Sequence, residues 1–447
     1  MVFPAEVVPQ MQQQPARHSR ETRLDMYVDR YASRTRGMTA SEIRALFAVA
    51  SRPEVVSLAG GMPNISGLPL DTIGSMVHEL VTEHGTEAMQ YGSGQGVPIL
   101  REQICDVMAL EGIEAHPDDV VVTVGSQQAV DLVTRIFCDP GDVVICEAPS
   151  YVGALGVFRA YECEVVHAEM DADGLVPAAL RDALAAAAAA GQRVKFLYTI
   201  PNFHNPAGVS MSEPRRREVL EIAREHDLLV LEDNPYGLLG FDQEPRRALR
   251  ADEVERVVYL GSFSKTFAPG LRVGWALAPH AVREKLVLAQ ESSTLCPSSF
   301  SQLMISSYLA GQDWMGQVKQ FREMYRERRD AMLEALDDLM PDGTTWTVPA
   351  GGFYVWLTLP PGLDAKAMLP RAVTARVAYV PGTAFYADEF GSQCMRLSYC
   401  YPTPERIREG VRRLAAVVEQ ELDLRATFGV STKVQVRSYD TPNTDLT

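Results

Sequence analysis

Lysine is scarce in this chain. Only six occur in 447 residues, at Lys195, Lys265, Lys285, Lys319, Lys366 and Lys433, and 58 acidic against 42 basic side chains leave a net charge of -16. Nucleic-acid binding requires clustered Lys and Arg that outweigh local acids, so no nucleic-acid partner is expected. Long apolar runs are also missing. No stretch approaches the roughly 18 residues of a membrane helix, and the N-terminus MVFPAEVVPQMQQQPARHSRE lacks the charged-then-apolar plan of a secretory signal. The cytoplasm is therefore the expected location, with no membrane partner. Seven cysteines, odd in number and without a C-x-x-C pair, read as reduced thiols, and eight histidines show no ligand spacing, so no metal is expected.

What is present is a regular alternation. Between about 120 and 275, strand-like runs alternate with helical stretches: VVVTVG (120–125) and a helix from Gln127, DVVICEAP, CEVVHAE, VKFLYTIP, a helix over 212–226, LLVLED (228–233) and VVYLGS. Such alternation demands crossover connections, which predicts an α/β fold: a large domain with a mostly parallel central sheet flanked by helices. The Ala-rich stretch 178–193 reads as a plain surface helix ended by Gly191. Beyond about 315 come a long helix with Val318, Phe321, Tyr325, Met332 and Leu336 on one face, the strands GGFYVWLTL and MRLSYC, and a helix with Ile407, Val411, Leu414, Val418 and Leu422 at helical spacing. This predicts a smaller α+β domain. The expected division is an N-terminal arm and a segment contributing to the small domain over 1–66, with an apolar helical pattern beginning after Ser41, the large domain over 67–310, the small domain over 311–426 and a polar tail over 427–447.

Glu147, Pro201, Asp233 and Ser262 each follow the apolar part of a strand, the edge at which open α/β sheets bind ligands. There too stands Lys265, in GSFSKTFAPGLRVGW (261–275), whereas the other five lysines occupy charged helical, strand-edge or tail contexts. A single Ser-x-Ser-Lys is most often a solvated loop; its companions change the reading. A desolvated lysine loses its proton more readily, freeing the amine to condense with a carbonyl. In GSQQAV (125–130), Gly125, Ser126 and Gln127 stand where a strand turns into a helix, a place where N–H groups hold phosphate. Ser262, Ser264 and Arg272 supply further donors, Arg272 as a permanent forked cation. LLVLEDNPYGLL ends an apolar strand in Asp233, with Tyr236 three residues later. A carboxylate about 3 Å from a protonated ring nitrogen, at effective dielectric ~20, gains roughly 5 kcal/mol, enough to keep a pyridine cationic at neutral pH. YTIPNFHNPAG (198–208) places Asn205 in a turn, its amide free to donate to a phenolic oxygen, and Tyr151 follows a strand end where it can stack on a ring. An amine, an acid, a phosphate cup and an amide donor make up the inventory of a pyridoxal phosphate site.

With those residues in view, the chain resembles fold-type I pyridoxal-phosphate enzymes of the class I/II aminotransferase family and is most similar to the 2-aminoadipate/kynurenine aminotransferase subgroup. The likeness spans about residues 40–420 and rests on SLAGGMPN (57–64), MQYGSGQGVPILRE, TVGSQQAVDL, EAPSYVGAL, FLYTIPNFHNPAG, LLVLEDNPYGLLGF, GSFSKTFAPGLRVGW, STLCPSSFSQLMIS, VPAGGFYVWL and MRLSY. It implies pyridoxal 5'-phosphate as cofactor, with Lys265 as the Schiff-base lysine and the acid/base at the substrate α-carbon. It further implies Asp233 at the pyridinium, Asn205 and Tyr236 at the ring hydroxyl, and Tyr151 stacked on the ring. The phosphate would be held by Ser126, Gln127, Ser262, Ser264 and Arg272, with Tyr91 from the partner in a homodimer that shares its active sites. Arg396, helped by Asn205, would clamp the substrate α-carboxylate, with Gly61 at the substrate's border and Arg44 near its side chain. The implied activity is a ping-pong transfer from an α-amino acid, bulky, aromatic or aminoadipate-like, to a 2-oxo acid such as 2-oxoglutarate. A C-S lyase or decarboxylase on the same fold is the alternative, and a noncatalytic effector sensor a weaker one, because the roughly 40 residues before the fold are too short for a winged helix. Two departures bear on the substrate: the family's N-P-T-G is Asn205-Pro206-Ala207-Gly208 here, and Phe203 and His204 add bulk beside it.

Overall fold

Runs such as VVICEA and VVYLGS carry no polar alternation, so a strand built from them must be covered on both faces. The computed structural model, which describes residues 25–38, 52–241, 244–388 and 390–428, covers them with helices. Arg44 and the helical pattern after Ser41 lie outside the described residues. The strands, in chain order, are β1 (Val56–Ser57), β2 (Val120–Thr123), β3 (Val143–Ala148), β4 (Glu164–Asp171), β5 (Gly174–Leu175), β6 (Val194–Thr199) and β7 (Leu229–Asp233). There follow β8 (Val257–Ser262), β9 (Gly274–Leu277), β10 (Thr345–Trp346), β11 (Tyr354–Thr358), β12 (Val377–Ala378), β13 (Val380–Pro381) and β14 (Cys394–Ser398).

Eight of these form the large sheet, in the order β2-β9-β8-β7-β6-β3-β4-β5. Neighbours from β8 through β4 are parallel, while β9 runs antiparallel between β2 and β8 and β5 antiparallel on β4. The chain steps from β3 to β4 on one side and returns to lay β6 on the other, so the strand order reverses beside β3, and crevices at such reversals receive ligands. One apolar cluster under the sheet joins Leu132 and Val133 of the helix Ser126–Phe137 to Leu155 and Phe158 of the helix Val152–Ala160. On the other face, the helices Pro177–Ala189 and Glu213–Glu225 pack against β3, β6 and β7. The Ala-rich helix is thus more than a surface element: Leu180, Ala183, Leu184 and Ala187, at i, i+3, i+4 and i+7, bury one stripe against the sheet.

The second unit is the antiparallel sheet β10-β11-β14-β13. The helices Trp314–Leu339 and Pro404–Phe428 close over it through Val318, Phe321, Tyr325, Met332 and Leu336 on one and Ile407, Val411, Leu414 and Val418 on the other. Val56 of β1 pairs in parallel with Val377 of β12, which ties the chain before the large sheet to this unit. Among the described residues no helix is long and apolar enough to cross a membrane.

Candidate active site

β8 ends in Ser262, and the chain then makes a short excursion before β9. Phe263 and Phe267 anchor it from inside: both are buried, Phe263 tilted against Trp275 with ring centroids 4.9 Å apart and Phe267 stacked on Tyr308 at 4.1 Å. Between them, Lys265 donates from Nζ to the Gly61 carbonyl at 3.0 Å and stands 5.6 Å from the Phe353 ring centroid. Burial pulls its ammonium down from 10.5 to about 8; Cys400 opposes that shift, and the positive charges of Arg396 and Arg272 add to it.

Lys265 lines a cavity of about 340 Å³ together with Gly61, Ser126, Tyr151, Asn205, Asp233, Tyr236 and Arg396. The structure therefore gathers these sequence-predicted residues after β1, at the carboxyl ends of β2, β3, β6, β7 and β8, and on β14. Asp233, the last residue of β7, accepts the Tyr198 hydroxyl on Oδ2 at 2.7 Å, while Oδ1 is buried and, among the described residues, without a hydrogen-bond partner. Burial pushes this carboxyl up to about 6 and Tyr198 pulls it back. A buried carboxylate oxygen with nothing to bind calls for a cationic or N–H partner, and a protonated pyridine nitrogen meets that need. Tyr236, also buried, has its hydroxyl 3.4 Å from that of Tyr354. Desolvation raises the Tyr151 phenol to about 12, so it is neutral at physiological pH.

A polar corner adjoins the cavity at Ser126, the first residue of its helix. Ser262 Oγ donates to Ser264 Oγ at 2.9 Å, and Arg272 reaches Ser264 Oγ at 3.4 Å and the Val124 carbonyl at 3.2 Å. Gly125 (φ +75°) is needed here because a Cβ would run into the Arg272 guanidinium, and a Cβ on Gly274 would lie 2.6 Å from Ser126 N. A helix N-terminus, two hydroxyls and a guanidinium suit a phosphate. Gln127 uses its side chain otherwise, donating to the Gly153 carbonyl at 2.9 Å just past Tyr151. With the unpaired Asp233 oxygen and the poorly solvated Lys265 amine, the residues present fit pyridoxal phosphate.

Arg396 on β14 is 2% exposed. It donates to Asn205 Oδ1 at 2.9 Å and to the Ala59 carbonyl at 2.8 Å, which leaves the Asn205 NH₂ as the end free to donate elsewhere. Tyr91 is 77% exposed and does not line the cavity in a single copy of the chain.

Several neighbours escape the sequence reading. Tyr198 holds Asp233. Tyr354 lies under Arg396, with the guanidinium carbon 4.1 Å from its ring centroid. His204 Nε2 stands 3.1 Å from Glu147 Oε2, both residues buried. Glu111, pushed up to about 7 by burial against the pull of its hydrogen bonds, accepts from Tyr259 and from Asn234, each at 2.6 Å, and Asn234 adjoins Asp233. The one available signal was composition: a polar residue inside an apolar run, as Tyr198 is in VKFLYT, has to find a partner.

Comparison with known proteins shows the family. The family described as aminotransferase class I and II matches residues 61–414. An aromatic-amino-acid aminotransferase of Thermococcus litoralis is 44% identical over 399 residues, 89% of this chain and 95% of its own length. A 2-aminoadipate transaminase of Thermus thermophilus is 36% identical over 389 residues, 86% and 95% of the two chains. The crystal structure of Pyrococcus horikoshii kynurenine aminotransferase, in complex with PMP, matches with a TM-score of 0.84 at 40% identity, over 88% of this chain and 98% of that one.

Proposed function

The chain belongs to the class I and II aminotransferases, and from that premise we propose how its own residues divide the reaction. It is a pyridoxal 5'-phosphate-dependent enzyme that moves the amino group of an α-amino acid to a 2-oxo acid by a ping-pong mechanism. When bound, the cofactor supplies an aldehyde that captures amines and a ring that withdraws electrons from the substrate α-carbon. Lys265 would hold it through its amine and would move the proton at the substrate α-carbon; an amine with a pKa of about 8 is suited to both tasks near neutral pH. Asp233 would keep the ring nitrogen protonated through Oδ1. Asn205 and Tyr236 would donate to the ring oxygen, and Tyr151 would pack on the ring face. Ser126, Gln127, Ser262, Ser264 and Arg272 hold the phosphate, with Tyr91 supplied by a second copy of the chain. Arg396 would bind the α-carboxylate beside Asn205, with Gly61 bordering the substrate. The observation that carries the reading is a single cavity uniting the Lys265 amine with the unpaired Asp233 oxygen.

The amino donor we propose is bulky or aromatic. Tyr151, Tyr236, Tyr354 and Ile200 line the cavity, and the relative at 44% identity is named for aromatic amino acids. A homodimer in the cytoplasm, with the domain boundaries expected from the sequence, belongs to the same proposal. A screen of purified enzyme tests it: aromatic donors, kynurenine, 2-aminoadipate and branched donors are each offered with 2-oxoglutarate. Aromatic donors should give the highest kcat/KM. Glutamate formed from no donor would defeat transamination, and ammonia or carbon dioxide released without an acceptor would point to lyase or decarboxylase chemistry instead.

A further inference from the structure

A buried guanidinium needs both charge compensation and a fixed direction. Arg396 forms no ion pair with a carboxylate among the described residues, and its Nε is buried without a hydrogen-bond partner. Two aromatic rings flank it, Tyr354 with its centroid 4.1 Å and Phe385 with its centroid 5.0 Å from the guanidinium carbon. We propose that Tyr354 and Phe385 are positioning residues for substrate binding: their rings hold the Arg396 guanidinium in the orientation that turns its uncommitted N–H groups to a carboxylate. The inference rests on Arg396 being the carboxylate clamp.

Both rings are themselves immobilised. The Tyr354 hydroxyl lies 3.4 Å from that of Tyr236 and fills the space beside Gly61, where a Cβ would collide with it. Phe385 packs edge-on against Trp356 with centroids 5.6 Å apart, and Trp356 is the cross-strand partner of Arg396 itself. The Phe385 carbonyl also accepts the Ser150 N–H at 2.8 Å, fixing the segment that carries Tyr151. A guanidinium has five N–H donors. Two are committed to Asn205 and Ala59, and rotation about the side chain would sweep the others out of line. The ring faces oppose that rotation while offering the cation an electrostatic surface that does not compete for its donors. It follows that the ring of Tyr354 is required and its hydroxyl is not.

Tyr354→Phe and Tyr354→Met separate these, since both lack the hydroxyl and only one keeps a ring. In the holoenzyme, binding of 3-phenylpropionate, which has a carboxylate but neither amino nor oxo group, is measured by isothermal titration calorimetry, beside KM and kcat for donor and acceptor. Tyr354→Phe should bind within about twofold of the parent. Tyr354→Met should bind roughly tenfold more weakly, with KM raised for both substrates and kcat changed less than about threefold. In an Arg396→Ala background the Phe-to-Met difference should vanish. The proposal is overturned if Tyr354→Met binds like the parent, if Tyr354→Phe loses as much as Tyr354→Met, or if the difference survives without Arg396, which would mean that the ring touches the ligand directly. Should Tyr354→Met fail to fold, Phe385→Met carries the same comparison. If Arg396→Ala alone binds as tightly as the parent, the clamp assignment itself falls, an outcome distinct from silence of the ring variants.

Discussion

Burial of the Lys265 amine costs stability, and that cost is what would fit it for the proposed role of base near neutrality. Its folded pKa lies near 8 against 10.5 in an ordinary setting. Below about 8 the amine is protonated in both folded and unfolded chains and the folded state bears the full desolvation cost; above 10.5 it is neutral in both and bears none. Replacing Lys265 by Met should therefore stabilise the cofactor-free protein at pH 7, on the order of 1–3 kcal/mol, with the gain fading as pH rises from about 8 past 10. Urea unfolding at the two extremes checks this, and a pH-independent gap would contradict the desolvation account. Asp233 offers the complementary test. Its carboxyl is raised to about 6 by burial, and only Tyr198 works against that. Cofactor affinity should accordingly weaken as pH falls through about 6, because the protonated acid no longer holds a ring cation. In Tyr198→Phe the weakening should begin at higher pH, by roughly one unit, as read from fluorescence titrations of the cofactor; an unmoved curve would remove Tyr198 from the account.

Loops at the strand ends line the cavity, and they are braced by residues one layer behind it. Glu147 accepts the Thr199 hydroxyl at 2.7 Å and the Ile200 N–H at 2.8 Å, while His204, next to Asn205, stands against the same carboxylate. Thus the end of β3 is braced to the loop that follows β6. His204→Leu should lower unfolding free energy by on the order of 1–3 kcal/mol, because a buried polar side chain beside the Glu147 carboxylate is lost, and should weaken cofactor binding with it. Full stability in that variant would show the contact to be incidental. Such elements also show where a sequence is legible. Buried parallel strands are apolar throughout, so VVICEA, VKFLYT and VVYLGS announce themselves, and a polar residue at the end of each marks the ligand edge. The antiparallel insertion of β9 between β2 and β8 is not legible, because nothing local distinguishes GWAL from any short apolar run. Neither is the partner of Glu111, whose carboxylate accepts from Asn234, 123 positions away. His204, by the same token, reads as bulk near the substrate until the fold sets Glu147 beside it.

At the scale of the whole molecule, a single copy leaves several large apolar side chains in water. Met62 beside Gly61 is 51% exposed, Leu70 64%, Met89 67% and Tyr91 77%. The proposed two-fold dimer would give such side chains a partner surface to pack against. If Tyr91 of one copy completes the phosphate site of the other, two damaged chains can repair each other. A Lys265→Ala chain keeps its tyrosine but has no reactive amine; a Tyr91→Ala chain keeps the amine and lacks the tyrosine. Each homodimer should turn over poorly. Refolded together in equal amounts, half the dimers are mixed, and in each mixed dimer one of two sites receives an intact Lys265 from one chain and an intact Tyr91 from the other. Activity should then recover to about a quarter of the parent's. Were Tyr91 to act within its own chain, no mixed dimer would hold a complete site, and activity would stay at the average of the two damaged parents.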